Sequence, residues 1–233
     1  MTEHAIAGSP YAFYAFYCLY RHFIQGPGHR LTLSTICEKL YPNTHVNINE
    51  KTSLFVTWKK KSHSKHDYQL RGCIGTFSKL PLEIGIGRFA LVAALEDTRF
   101  SPISEDELSN LKCYCNILQN FETIFSSLKK TDTQHDIFNW TIGKHGIELK
   151  FRDPSNNKLR SATFLPDVMV EQHWDKEDTF RNLIEKAGCW SNIDDIMNNY
   201  EQYFVEVIRY EGNKSSIKYK DFKSSLDKIS GGH

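Results

Sequence analysis

The chain has 233 residues, 40 % of them apolar, and its 29 Lys and Arg nearly balance 28 Asp and Glu. That length is enough for one substantial core, and a net charge of +1 excludes nucleic acid or an anionic membrane as a partner attracted by the whole-chain field. Six cysteines in a chain this long, without a secretory signal at the N-terminus, are expected to be reduced thiols.

Ser9-Pro10 is an N-cap followed by proline at the first helical position, so a helix is expected to about Gln25. Phe13, Phe16, Leu19, Tyr20 and Phe23 recur on it at helical spacing, which points to core packing, and Gly26-Pro27-Gly28 ends it. The apolar run from Tyr11 to Tyr20 is too short to span a bilayer. Leu33–Leu40 is a weak helix inside a polar connection. Leu54, Val56 and Trp58 alternate with polar or aromatic neighbours, which predicts a strand, and a second strand starts at Tyr68. Between them the loop 59–67 carries lysines and histidines.

The stretch Leu70-Arg71-Gly72-Cys73-Ile74-Gly75-Thr76-Phe77 follows, with a guanidinium, a thiol and two glycines within five residues. Glycines at 72 and 75 permit positive φ or close approach of another backbone. A helix is expected from Pro81 to about Asp97, then a turn at Asp97-Thr98-Arg99-Phe100, a Ser104/Glu107 capping box, and a strand over Leu111–Leu118. Cys113 and Cys115 share one face of that strand as buried residues. Their spacing does not suit zinc, so no metal or other cofactor is expected.

Further strands are expected at Ile137–Ile142, Ile147–Phe151 and Leu159–Leu165, the first two joined by the tight hairpin Gly143-Lys144-His145-Gly146. Short helices capped at Asp167 and at Asp175 or Asp178 come next, the second ending at Gly188. Tyr203–Tyr210 is expected to be a central strand and Ile217–Phe222 an edge strand. Helices and strands mix without regular alternation, so the class is α+β, with an antiparallel or mixed sheet and flanking helices. One domain over 9–222 is expected, with disordered tails at 1–8 and 223–233.

The blocks Leu70–Thr76, Ala93-Ala94 with Asp97–Phe100, Ile142–Ile147, and Leu165-Pro166-Asp167 with Glu171–Asp175 occur in the order and spacing of the signature blocks of the AMMECR domain family. Leu54–Trp58 and Ala162–Pro166 resemble its eukaryotic members. The resemblance implies an α+β fold with a smaller subdomain and a cleft between the two parts. It implies no settled activity. Prokaryotic members are often encoded beside, or fused to, Memo-like and radical S-adenosylmethionine proteins, which suggests a shared pathway by association alone.

The candidate site residues carry two readings each. Cys73 is either a nucleophile, activated by the nearby Arg71 and served by His145 as base with Glu122 or Glu171 orienting it, or a small packed hydrophobe. Arg71 is suited to bind a carboxylate or phosphate, or pairs with Asp97 or a glutamate. Gly72, Gly75, Asp97, Arg99, His145 and Glu171 complete the candidate ligand contacts, Asp97 and Arg99 alternatively locking a turn. The functions weighed are a binding module whose cleft, lined by Leu70–Phe77 and by 143–146, takes a protein, peptide or small anionic ligand, an enzyme using Cys73, and nucleic-acid binding through the basic loop 59–66, which lacks an interleaved aromatic to stack a base. Cytoplasm is the expected location, and at 27.0 kDa nuclear entry needs no dedicated signal.

Overall fold

Ser9 accepts a hydrogen bond from the Tyr11 N–H and starts α1 (Pro10–Phe23), as its cap chemistry requires. The computed structural model describes residues 9–24, 30–44, 46–62, 67–128 and 136–230. After α1 come α2 (Leu33–Leu40), β1 (Lys51–Lys61), β2 (Tyr68–Pro81), α3 (Leu82–Leu95), a 3-10 helix (Glu105–Asn110) and β3 (Leu111–Ser126). Then follow β4 (His145–Arg152), β5 (Leu159–Phe164), α4 (Pro166–Gln172), α5 (Lys176–Lys186), α6 (Ile193–Asn198), α7 (Tyr200–Tyr203), β6 (Phe204–Lys218) and α8 (Tyr219–Ser230). The strands form a six-stranded sheet in the order β2-β1-β3-β6-β4-β5, antiparallel between β1 and β2, β4 and β5, and β4 and β6. The class is α+β.

The chain forms two compact units, Leu118–Gly212 and the remainder of the chain on either side of it. In the first unit the aromatic stripe of α1 packs on the sheet and on α8. Phe16 meets Trp58 edge to face at 5.1 Å and stacks on Phe222 at 4.7 Å. Trp58 also donates its indole N–H to the Ala90 carbonyl, so β1 is tied to α3. Cys113 and Cys115 are fully buried in this core, and burial pushes both thiols up. The second unit has its own core, from Ile124 to Val207, centred on Phe151, Phe180 and Phe204.

Three expected elements differ. Ile137–Ile142 forms turns, because the Asp136 side chain accepts the Phe138 N–H and Trp140 bonds Phe138 and Ile137, local bonds that replace a ladder. Gly143-Lys144-His145-Gly146 is therefore no hairpin: Gly143 and Lys144 end a turn, and His145 and Gly146 already belong to β4. Ile217–Phe222 is not an edge strand: β6 ends at Lys218 and α8 begins. Residues 223–230, expected in a disordered tail, are helical, since Phe222, Leu226 and Ile229 recur at helical spacing and pack into the first core. Residues 1–8, 231–233 and the Gly26-Pro27-Gly28 helix stop lie outside the described residues.

Candidate functional site

Arg71 sits in an irregular part of β2. Trp58 pairs with Gly72 and Lys59 with Leu70, so Arg71 has no Cα partner on β1 and is the extra residue of a bulge. The bulge turns its side chain out of the strand's alternation and into Glu107. Arg71 Nε donates to Glu107 Oε2 at 2.9 Å and Nη2 to Oε1 at 2.8 Å, a two-point pairing, while Nη1 donates to the Ser101 carbonyl. Lys60 Nζ reaches the same Oε2 at 2.8 Å, and the Ser104 N–H donates to Oε1. Held first by Arg71, with Lys60 and Ser104 adding and burial opposing, the Glu107 carboxyl is pulled down to about 2. These groups border a cavity of about 460 Å³ with Phe100 and Asp106. Its lysine and arginine both already pair with Glu107.

Gly72 and Cys73 are fixed differently. Neither Gly72 nor Gly75 has positive φ; both are close-approach glycines. A Cβ on Gly72 would stand 2.0 Å from the Ala93 carbonyl, and one on Gly75 2.3 Å from the Phe55 ring that lies across it. Next to Gly72 the outer edge of β2 has no neighbouring strand among the described residues, yet Cys73 keeps both backbone groups paired. Its N–H donates to Asp97 Oδ2 at 2.8 Å, and its carbonyl accepts from Arg99 Nη2 at 3.0 Å. Arg99 in turn donates from Nε to Asp97 Oδ1 and from Nη2 to Oδ2. Arg99, together with the N–H groups aimed at it, holds the buried Asp97 carboxyl well below the usual range. Asp97 and Arg99 thus lock this turn and the strand edge together.

The pinned strand presents one face outward. Cross-strand register puts Leu70 opposite Lys59, Cys73 opposite Thr57 and Gly75 opposite Phe55. Cys73 Sγ and Thr57 Oγ1 are 3.0 Å apart and hydrogen-bonded, and the thiol is partly exposed. Phe77 lies edge-on to Phe55 at 5.1 Å. Leu70 and Phe77 remain 42 % and 39 % exposed, and Lys59 lies over the Tyr114 ring. Asn116, two residues beyond Tyr114 on β3, is buried with its Oδ1 unpartnered.

His145 and Glu171 belong to the second unit. His145 Nδ1 accepts the Thr141 N–H at 2.9 Å, which places the ring proton on Nε2, 3.5 Å from Glu211. Nδ1 is engaged by the turn that precedes β4 and Nε2 faces Glu211 on the neighbouring strand β6. Burial first, then Arg209 and Lys144, pulls its pKa down against the opposing Glu211. Glu122 receives two bonds from Arg209, and Glu171 is exposed on α4. Of the basic stretch 59–66, Lys59–Lys61 are strand residues and Lys60 is committed to Glu107; residues 63–66 lie outside the described residues.

Glu107 is the residue that sequence reasoning missed at this site. The Ser104-x-x-Glu107 spacing identified the capping box, which is present, but gave no sign that its carboxylate also receives two cations from β1 and β2.

No helix among the described residues is long and apolar enough to cross a membrane. The chain is 58 % identical over 228 residues to an uncharacterized protein of Saccharomyces cerevisiae, an alignment covering 95 % of this chain and 90 % of that one. It is 35 % identical over 171 residues to an uncharacterized protein of Arabidopsis thaliana, covering 73 % of each. The crystal structure of an uncharacterized protein from Pyrococcus horikoshii shares the fold, with a TM-score of 0.59, 21 % identity and 90 % of each chain covered. The AMMECR1 family model matches residues 27–214, and the chain belongs to the AMMECR1 family.

Proposed function

We propose that the protein is a binding module, and that its recognition surface is the face of β1 and β2 bearing Leu70, Cys73, Gly75 and Phe77. The observation that carries this reading is two large apolar side chains, Leu70 and Phe77, left exposed on a strand whose edge is fastened by Asp97 and Arg99. Exposed apolar groups on rigid backbone lose little entropy when a partner covers them. Lys59 adds a cation for an anionic group on the ligand. Arg71, Gly72, Gly75, Asp97 and Arg99 support the surface by shaping and fastening it.

The test compares affinity-purified partners, identified by mass spectrometry, of the wild type and a Leu70→Ser/Phe77→Ser double variant, with thermal stability measured on both. Loss of specific partners at unchanged stability is expected. An identical partner set would sink the surface. The partly exposed thiol of Cys73 favours a second reading, an enzyme with Cys73 as nucleophile. It requires iodoacetamide to label Cys73 in the folded protein faster than a model peptide, and it fails if Cys73→Ser leaves cellular function intact.

A further inference from the structure

A separate cavity of about 770 Å³ lies in the first unit between α1 and α3, within the size range of small-molecule sites. Tyr14, Cys18 and Gly87 line it, and Tyr14 donates its hydroxyl hydrogen to Glu83 Oε1 at 3.1 Å. Around it stand Arg21, His22, Arg30 and Arg88, against Glu83 as the one carboxylate among the described lining residues. Arg30 stands close enough to Tyr14 to interact with its hydroxyl, whereas Arg88 is exposed and has no carboxylate within salt-bridge range among the described residues. Ile84, 64 % exposed, and Leu91 supply an apolar wall.

The two glycines of α3 sharpen this. Glycine destabilises a helix interior relative to alanine, so each needs a reason. Gly85 has one, since a Cβ there would meet Leu54 Cδ2 at 2.8 Å. Gly87 has none from packing: a Cβ would sit 3.5 Å from Cys18 Sγ and 3.9 Å from Tyr14, ordinary contact. What glycine preserves at 87 is open volume beside Cys18 in the cavity.

We infer that this cavity binds a small organic anion, a carboxylate or phosphate head carried on an apolar body. Even with Arg21 left out of the balance, Arg30 and Arg88 outnumber the one carboxylate, Glu83, among the described lining residues, which leaves a positive field, and guanidinium forks fit both head groups. The apolar wall and the open volume at Gly87 take the body. The inference is independent of the Cys73 face.

The test is a fluorescence titration of the full chain with anilinonaphthalene sulfonate, an anionic head on an aromatic body, followed by displacement with octanoate, octyl phosphate and inorganic phosphate. Saturable binding to one site is expected. Octanoate or octyl phosphate should displace the probe, the stronger competitor identifying the head group, and inorganic phosphate should be much weaker. Arg88→Glu, on an exposed side chain, should weaken the probe roughly tenfold. Gly87→Leu should abolish binding, whereas Gly87→Ala should melt higher than wild type. Unchanged affinity in Arg88→Glu, with folding verified by circular dichroism, overturns the proposal even if Gly87→Leu does not fold. So does displacement by inorganic phosphate as strong as by octyl phosphate, or displacement by neither organic anion.

Discussion

Glu107 and Asp97 each satisfy several donors with one carboxylate, and the consequence is a pH-dependent stability. Both are held below their ordinary range in the folded chain, so the stability they contribute is present above the values of the unfolded chain, 3.8 for Asp and 4.5 for Glu. It is lost as pH falls, for Glu107 through the window from 4.5 to about 2. A depression of that size corresponds to about 2–3 kcal/mol for Glu107 after allowance for screening. Glu107→Gln keeps a capping-box side chain but removes the charge. Melting temperatures between pH 7 and pH 2.5 should fall less steeply in this variant; a slope equal to wild type would contradict the role given to Glu107. Gly72 makes a sterically sharper case. Its neighbour is the Ala93 backbone carbonyl, which cannot swing aside as a side chain can, so Gly72→Ala should destabilise the protein by roughly 2–4 kcal/mol in urea denaturation.

At the scale of elements, α8 shows how tertiary contacts settle an ambiguous segment. Phe222 contacts Phe13, Phe16, Tyr20 and Tyr219, and is fully buried. Phe222→Ala should therefore cost about 3–5 kcal/mol by chemical denaturation, the range for deleting a buried aromatic ring. A cost below about 1 kcal/mol would mean that α8 is not an integral part of the first core. The bulge at Arg71 is the corresponding device within a strand. One unpaired residue re-aims a guanidinium from the outward face of β2 to the capped 3-10 helix, so Arg71 and Cys73, two apart in sequence, do not act as a pair.

For the whole molecule, the buried core residues of each unit come from that unit alone. The second unit's core runs from Ile124 to Val207, and the chain enters and leaves that unit once each, along β3 and β6. The fragment 118–212 should fold by itself, with a cooperative thermal transition in circular dichroism; gradual, non-cooperative melting would show that the unit depends on the rest of the chain. Thiol chemistry gives a second whole-chain readout. Cys113 and Cys115 should resist a thiol reagent in native buffer and react only in denaturant, while the partly exposed Cys73 reacts without it.

Local chemistry fixed much of this from the sequence alone. The Ser9-Pro10 start of α1, the alternation of β1, the Ser104 capping box, a helix cap at Asp175 or Asp178 and the burial of Cys113 and Cys115 depend on groups close in the chain. The signature blocks placed the chain in its family. What only the tertiary structure decided depends on partners distant in sequence. Glu107, 36 residues from Arg71, fixes where the guanidinium points. Asp97 and Arg99 turn out to fasten the backbone of Cys73. The Ala93 carbonyl explains Gly72, and the open volume at Gly87 exists only once α1 lies against α3. Leu70–Phe77 is thereby held as a surface by residues whose spacing in the chain carries no sign of it.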